Sequence, residues 1–103
     1  MVEKEAAIET AKILIQECID SGIKIDKAYL FGSFAKGLQR QYSDIEVALV
    51  SKNFGFNFLE NIKLTSKINI KYPDIELHHF NTGYFEKGDP FIEEIKTSGF
   101  VIY

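Results

Sequence analysis

The sequence predicts an α+β fold, a small β-sheet covered by helices. Three observations predict it. Apolar residues recur at helical steps over residues 3–21. Two strand-like runs flank a Gly-Ser turn between Tyr29 and Val50. A third strand-like run over 74–80 lies between two helix-start signals.

In the first segment Ala7, Ile8, Ala11, Leu14, Ile15, Cys18 and Ile19 stand three or four residues apart and make one apolar stripe. Gly22 stops that helix, because a residue without a Cβ turns left-handed at little cost. The stripe reads as cover for a sheet, with a dimer face as the alternative. Ile23 and Ile25 anchor the connection to a strand over Lys27–Phe31, and a short helix runs from Ser33 to about Leu38. The second strand spans Asp44–Val50. Beyond its two acids it is apolar on both faces, as a central, doubly covered strand is.

Residues 51–56 form a loop. Asn57 and Glu60 have capping-box spacing and open a helix that reaches about Lys71, where Tyr72-Pro73 ends it. Leu59, Ile62 and Ile68 are its inward positions. Phe54, Phe56 and Phe58 read as core beneath the loop rather than as a base-stacking platform. The third strand, Asp74–Phe80, alternates Asp74, Glu76 and His78 on one side with Ile75, Leu77 and His79 on the other. Asp89-Pro90 is a helix start, Phe91, Ile92 and Ile95 its apolar side, and Gly99 its stop. Phe100–Tyr103 form a short last strand or a packed tail.

At 103 residues the chain is expected to be a single domain, 1–103, with one core. Its 46 % hydrophobic and 26 % charged residues are those of an ordinary globular protein. No run approaches the eighteen apolar residues of a membrane span, and the start MVEKEAAIE carries acids where a signal peptide needs an apolar stretch. A cytoplasmic location is the expectation. Cys18, the one cysteine, cannot close an internal disulfide or complete a zinc cluster with two adjacent histidines, and reads as a core thiol. The net charge is −3, and the lysines are scattered rather than clustered. That argues against stable binding to duplex nucleic acid, whose affinity comes mainly from grouped cations. An acidic site for a nucleotide would need added positive charge, which points to divalent metal.

The chemistry gathers in the Tyr29–Val50 stretch. Gly32 lets backbone approach a ligand closely, and Ser33 stands where helix-start N–H groups attract phosphate oxygens. Asp44 and Glu46, two apart on a strand, leave the same face and could share a cation. Burying both without a cation would be costly; the plain alternative is a solvated strand end. Lys36 and Arg40 either neutralise phosphate or are ordinary loop charges, and Tyr42 either packs beside the site or is loop surface. A P-loop is excluded, since Lys36-Gly37-Leu38 lacks the Gly-Lys-Ser/Thr order.

GSFAKG at 32–37 followed by SDIE at 43–46 resembles the G-S-x-x-x-G … S-D-x-D signature of the DNA polymerase beta-like nucleotidyltransferases, and the chain's size resembles their minimal, single-domain members. The resemblance implies the palm-like nucleotidyltransferase fold with a small mixed sheet. It also implies transfer of a nucleoside monophosphate, AMP the expected one, from ATP or another nucleoside triphosphate to a partner protein or small acceptor. Two Mg²⁺ ions would be held by Asp44, Glu46 and Glu76, which are the implied catalytic residues. Asp44 and Glu46 would bridge both ions, and Glu76, with Asp74 as the alternative, would activate the acceptor. Gly32 and Ser33, with Lys36 and Arg40, would bind the nucleotide's phosphates. His78 reads as structural, with a substrate contact as the other option. The chain is too short for a separate acceptor domain, so a partner protein or a second copy is expected to complete the site, and the resemblance implies a partner of the HEPN type.

The sequence departs from the signature at Glu46, where the family has Asp. One added methylene moves a carboxylate by up to about 1.5 Å, beyond the roughly 0.5 Å tolerance of a preorganised site. Two readings therefore stand side by side. One is a working transferase. The other is a catalytically weak or inactive interaction module that keeps the fold, an antitoxin-like partner of a HEPN-type protein.

Overall fold

The computed structural model describes residues 4–37 and 44–103. Helix α1 (Lys4–Asp20) leads into strand β1 (Ile25–Phe31), then β2 (Ile45–Ser51). Helix α2 (Phe58–Asn69) follows, then β3 (Ile75–Asn81), α3 (Thr82–Lys87), α4 (Pro90–Ser98) and the two-residue β4 (Phe100–Val101). The four strands form one mixed sheet in the order β3-β2-β1-β4. β1 is antiparallel to β2 and β4, while β2 and β3 are parallel and joined through α2, as parallel neighbours require a crossover.

Each face of the sheet has its own apolar layer. Ala28 and Leu30 of β1 and Val47 and Leu49 of β2 pack on the stripe of α1, with Phe34 and Phe54 filling the ends. Tyr29, Phe31, Ala48 and Val50 on the other face meet Phe85 of α3 and Ile92 and Ile95 of α4. β2 is therefore buried on both faces, the reason its sequence is a continuous apolar run. Cys18 lies in the first layer, where burial pushes its thiol up to about 11. Among the described residues no helix is long and apolar enough to cross a membrane.

Several local expectations are corrected. Ile25 belongs to β1 rather than to the connection before it. Residues 32–37 form consecutive turns in place of a helix over Ser33–Leu38. The Lys36 N–H reaches the Gly32 carbonyl at 3.1 Å, and Gly37 at φ +71° turns the chain out of helical geometry; Leu38 lies outside the described residues. Phe54 is core, but Phe56 is 83 % and Phe58 72 % exposed. Leu59, expected to face inward, is 66 % exposed.

The inner side of α2 is polar instead, which explains the misplaced phase. Asn61 is buried, accepting from the Gly55 N–H at 3.0 Å and donating to the Gly55 carbonyl at 2.9 Å. Thr65, also buried, is hydrogen-bonded to His79 Nε2 at 2.9 Å. Helix α3, which the sequence reading leaves out, is six residues long and too short to show a period. Asn81 caps it by accepting from the Gly83 and Tyr84 N–H groups.

His79 of β3 faces α2, edge-on to Phe54 at 4.8 Å. Burial, with a smaller contribution from His78, pushes its pKa from the ordinary 6.5 down to about 4. Above pH 6.5 neither the folded nor the unfolded chain protonates it, so its contribution to stability is complete. As pH falls from 6.5 toward 4 the unfolded chain binds the proton first, and stability should drop by on the order of 1–3 kcal/mol. Chemical denaturation at a series of pH values should show this fall to be shallower in His79→Gln, which keeps a polar partner for Thr65. Parallel pH profiles for the two proteins would contradict the assignment.

Candidate active site

β2 and β3 run parallel with Glu46 opposite Glu76 and Ala48 opposite His78. Positions two apart on a strand share a face, so Glu46, Glu76 and His78 emerge together on the side covered by α4. One ligand atom from each lies within 4.8 Å of the other two. His78 Nε2 is 3.5 Å from Glu46 Oε1 and 3.9 Å from Glu76 Oε2. The side chains of Glu46, Glu76 and His78 are 30 %, 53 % and 26 % exposed, which leaves the cluster open to a ligand from one side. Phe31 and Phe91 pack edge-on against the His78 ring, with centroids at 5.0 and 5.9 Å, and fix its direction. Its Nε2 is buried and has no hydrogen-bond partner among the described residues.

Glu46 also touches the Gly-Ser turn. Gly32 has φ +77°, and a Cβ placed on it would stand 2.0 Å from Glu46 Oε2. The missing side chain at Gly32 is thus what gives the longer Glu46 its room. A cavity of about 200 Å³ opens here, lined by Gly32, Lys36 and Glu46 with Phe91, Glu94 and Ser98 of α4. Lys36 lies at this cavity with its ammonium 3.0 Å from Glu94, an exposed pair held only weakly. Ser33 is half-buried in the same turn.

Asp44 does not join the cluster. It is exposed just before β2 begins, and with Glu76 it borders a larger groove of about 620 Å³ between α2 and the edge strand β3. Glu76 therefore belongs to both places. Asp74 is exposed and precedes β3, its carbonyl accepting from the Ile45 N–H at 2.8 Å. Arg40 and Tyr42 lie outside the described residues. His78, Phe91 and Glu94 are the site neighbours that sequence reasoning missed or set aside. The alternation in DIELHHF was the available signal for His78, since it puts that ring on the side of Glu76. Nothing in the sequence brings α4 to this place.

Two carboxylates this close repel one another, and a cation between them removes that cost. The donor set of two carboxylates and an orphaned imidazole nitrogen fits a divalent metal. Gly32→Ala should lower the unfolding free energy by about 1–2 kcal/mol, the cost of a left-handed residue carrying a Cβ. Glu46→Asp in the same chain should recover little of it, since the carboxylate tip can move aside. Full recovery in chemical denaturation would show that the contact, not the backbone, governs the position.

Residues 13–103 match the family model described as polymerase beta, nucleotidyltransferase. Comparison with curated proteins finds no match. Among solved structures, the chain is similar to a Sulfolobus solfataricus protein provisionally assigned as a nucleotidyltransferase. The TM-score is 0.72 at 18 % identity, covering 95 % of this chain and 80 % of that one. It is also similar to a chain of a toxin–antitoxin structure with AMP-PNP, with a TM-score of 0.61 at 19 % identity over 88 % of this chain and 71 % of the other. A complex of tri-AMPylated Shewanella oneidensis HEPN toxin with MNT antitoxin gives a TM-score of 0.57 at 16 % identity, covering 97 % and 71 %. Such likenesses speak for the fold, and the family model spans most of the sequence: the chain belongs to the polymerase beta nucleotidyltransferase family.

Proposed function

We propose that the chain is a metal-dependent nucleotidyltransferase that moves a nucleoside monophosphate, AMP the expected one, from a nucleoside triphosphate to a partner protein of the HEPN type. The observation that carries this reading is the meeting of Glu46 and Glu76 on one sheet face, beside the Gly32-Ser33 turn, in a chain of this family. The choice of nucleotide and partner is supported by the similar structures, one with AMP-PNP and one a MNT antitoxin with an AMPylated HEPN toxin. Exposed apolar side chains around α2 suit a partner: Phe56 in the loop before it, Phe58 and Leu59 at its start and Ile70 just past its end, with Phe58 and Ile70 bordering the groove beside β3.

Glu46 and Glu76 would hold the metal, with Asp44 as the third carboxylate at the mouth of the strand. Divalent ions bound there, two Mg²⁺ in the family's arrangement, would neutralise charge developing on the phosphate oxygens and acidify the acceptor hydroxyl. The chain's own groups do the rest. The Ser33 hydroxyl and the backbone at Gly32 bind the β- and γ-phosphates, and Lys36, exchanging Glu94 for phosphate, adds positive charge. Arg40 is assigned the same task. The acceptor oxygen forms its bond to the α-phosphorus, the bond to pyrophosphate breaks, and the acceptor's proton passes to Glu76. No covalent enzyme intermediate is involved.

The second reading, a weak or inactive interaction module, is favoured by one observation: Asp44 stands outside the Glu46–Glu76–His78 cluster. Labelled ATP, Mg²⁺ and a HEPN-type partner separate the two. Transfer of label that falls about a hundredfold or more in Glu76→Gln and Asp44→Asn supports the transferase. No transfer by the unsubstituted chain, with capture of the partner intact in both variants, supports the module.

A further inference from the structure

We propose that His78 is itself a ligand of the metal, so that Glu46, Glu76 and His78 form a mixed oxygen–nitrogen site that prefers a divalent transition ion such as Mn²⁺ to Mg²⁺. This rests on the reading of the cluster as the metal site of the transfer reaction. The metal-binding residues in the signature resembled by GSFAKG and SDIE are carboxylates, and His78 lies outside it.

Geometry makes the case. Ligands about 2.1 Å from one ion stand about 3–3.5 Å apart in tetrahedral or octahedral sites. His78 Nε2 is 3.5 and 3.9 Å from the two carboxylates, so small side-chain adjustments bring all three to one ion. The same distances are too long for good hydrogen bonds, which fall near 2.7–3.2 Å. A buried ring nitrogen is costly without a partner, and His78 Nε2 has none among the described residues. Phe31 and Phe91 hold the ring edge-on, and Ala48 opposite it on β2 leaves the space clear. His79 cannot substitute, since it faces away toward Thr65. Imidazole is a softer donor than carboxylate or water, whereas Mg²⁺ favours oxygen and gives up its water reluctantly.

The test uses the full chain without nucleotide or partner, with Mn²⁺ as the probe. Loss of the free Mn²⁺ paramagnetic resonance signal measures affinity, Mg²⁺ competition measures preference, and electron spin-echo modulation detects a coordinated ¹⁴N. Mn²⁺ should bind at least about tenfold more tightly than Mg²⁺. His78→Gln should remove the nitrogen modulation and weaken Mn²⁺ by about tenfold or more while changing Mg²⁺ little; His79→Gln should keep the modulation. Labelling histidine with ¹⁵N in the unsubstituted chain reads the same ligand if His78→Gln fails to fold. Absence of nitrogen modulation in the unsubstituted chain, its survival in His78→Gln, or equal affinity for the two ions would overturn the proposal. Metal binding is read without turnover, so a chain that binds Mn²⁺ through His78 but transfers nothing keeps this inference and loses the proposed reaction. Transfer that depends on Glu76 without nitrogen coupling does the reverse.

Discussion

The parallel pairing of β2 with β3 is the constraint from which the site follows. Glu46 lies opposite Glu76 and Ala48 opposite His78, and only in that register do the three polar side chains meet. Side chains alternate along a strand, so a slip of one residue would turn Glu76 and His78 away from α4 and bring Ile75, Leu77 and His79 there instead. The register is held from behind. Ile45, Val47, Leu49 and Ile75 are buried in the layer against α1, and Leu77 packs on it. Thr65 of α2 fixes His79 on the same side. The apolar face thus fixes where the polar face does its chemistry.

The second feature is the exchange between Gly32 and Glu46. The carboxylate of the longer acid rests against the bare Cα of Gly32. The turn that offers backbone to a phosphate and the acid that offers oxygen to a metal are therefore one packed unit. Helix α4 closes the other side with Phe91 and Glu94, the latter holding Lys36 in an exposed pair. A site assembled this way is rigid where apolar groups back it and adjustable at the tips of Glu46, Glu76 and Lys36.

Much of this was legible in the residues. The α1 stripe, the doubly apolar run of β2, the Asn57 and Asp89 caps and the alternation of DIELHHF each follow a local rule, and each stands in the structure. Placing Glu46 and Glu76 on one face needed only the period of a strand plus the right pairing. What was not legible depends on contacts between distant segments. Phe56, Phe58 and Leu59 look like core, yet Asn61 and Thr65 take the inward side of α2 because Gly55 and His79 offer them hydrogen bonds. The turns at 32–37 replace a helix because Gly37 leaves helical geometry so early. The orientation of Asp44 and the approach of α4 to the cluster are likewise tertiary facts. His78 falls between the two cases: its face was readable, its company was not.

The most direct measurement is anomalous X-ray diffraction from crystals of the chain soaked in Mn²⁺. A peak within coordination distance of both Glu46 and Glu76, about 2.0–2.6 Å from their oxygens, is the expected result. Peaks only at other surface acids, or none at all, would contradict a shared cation between these two strands.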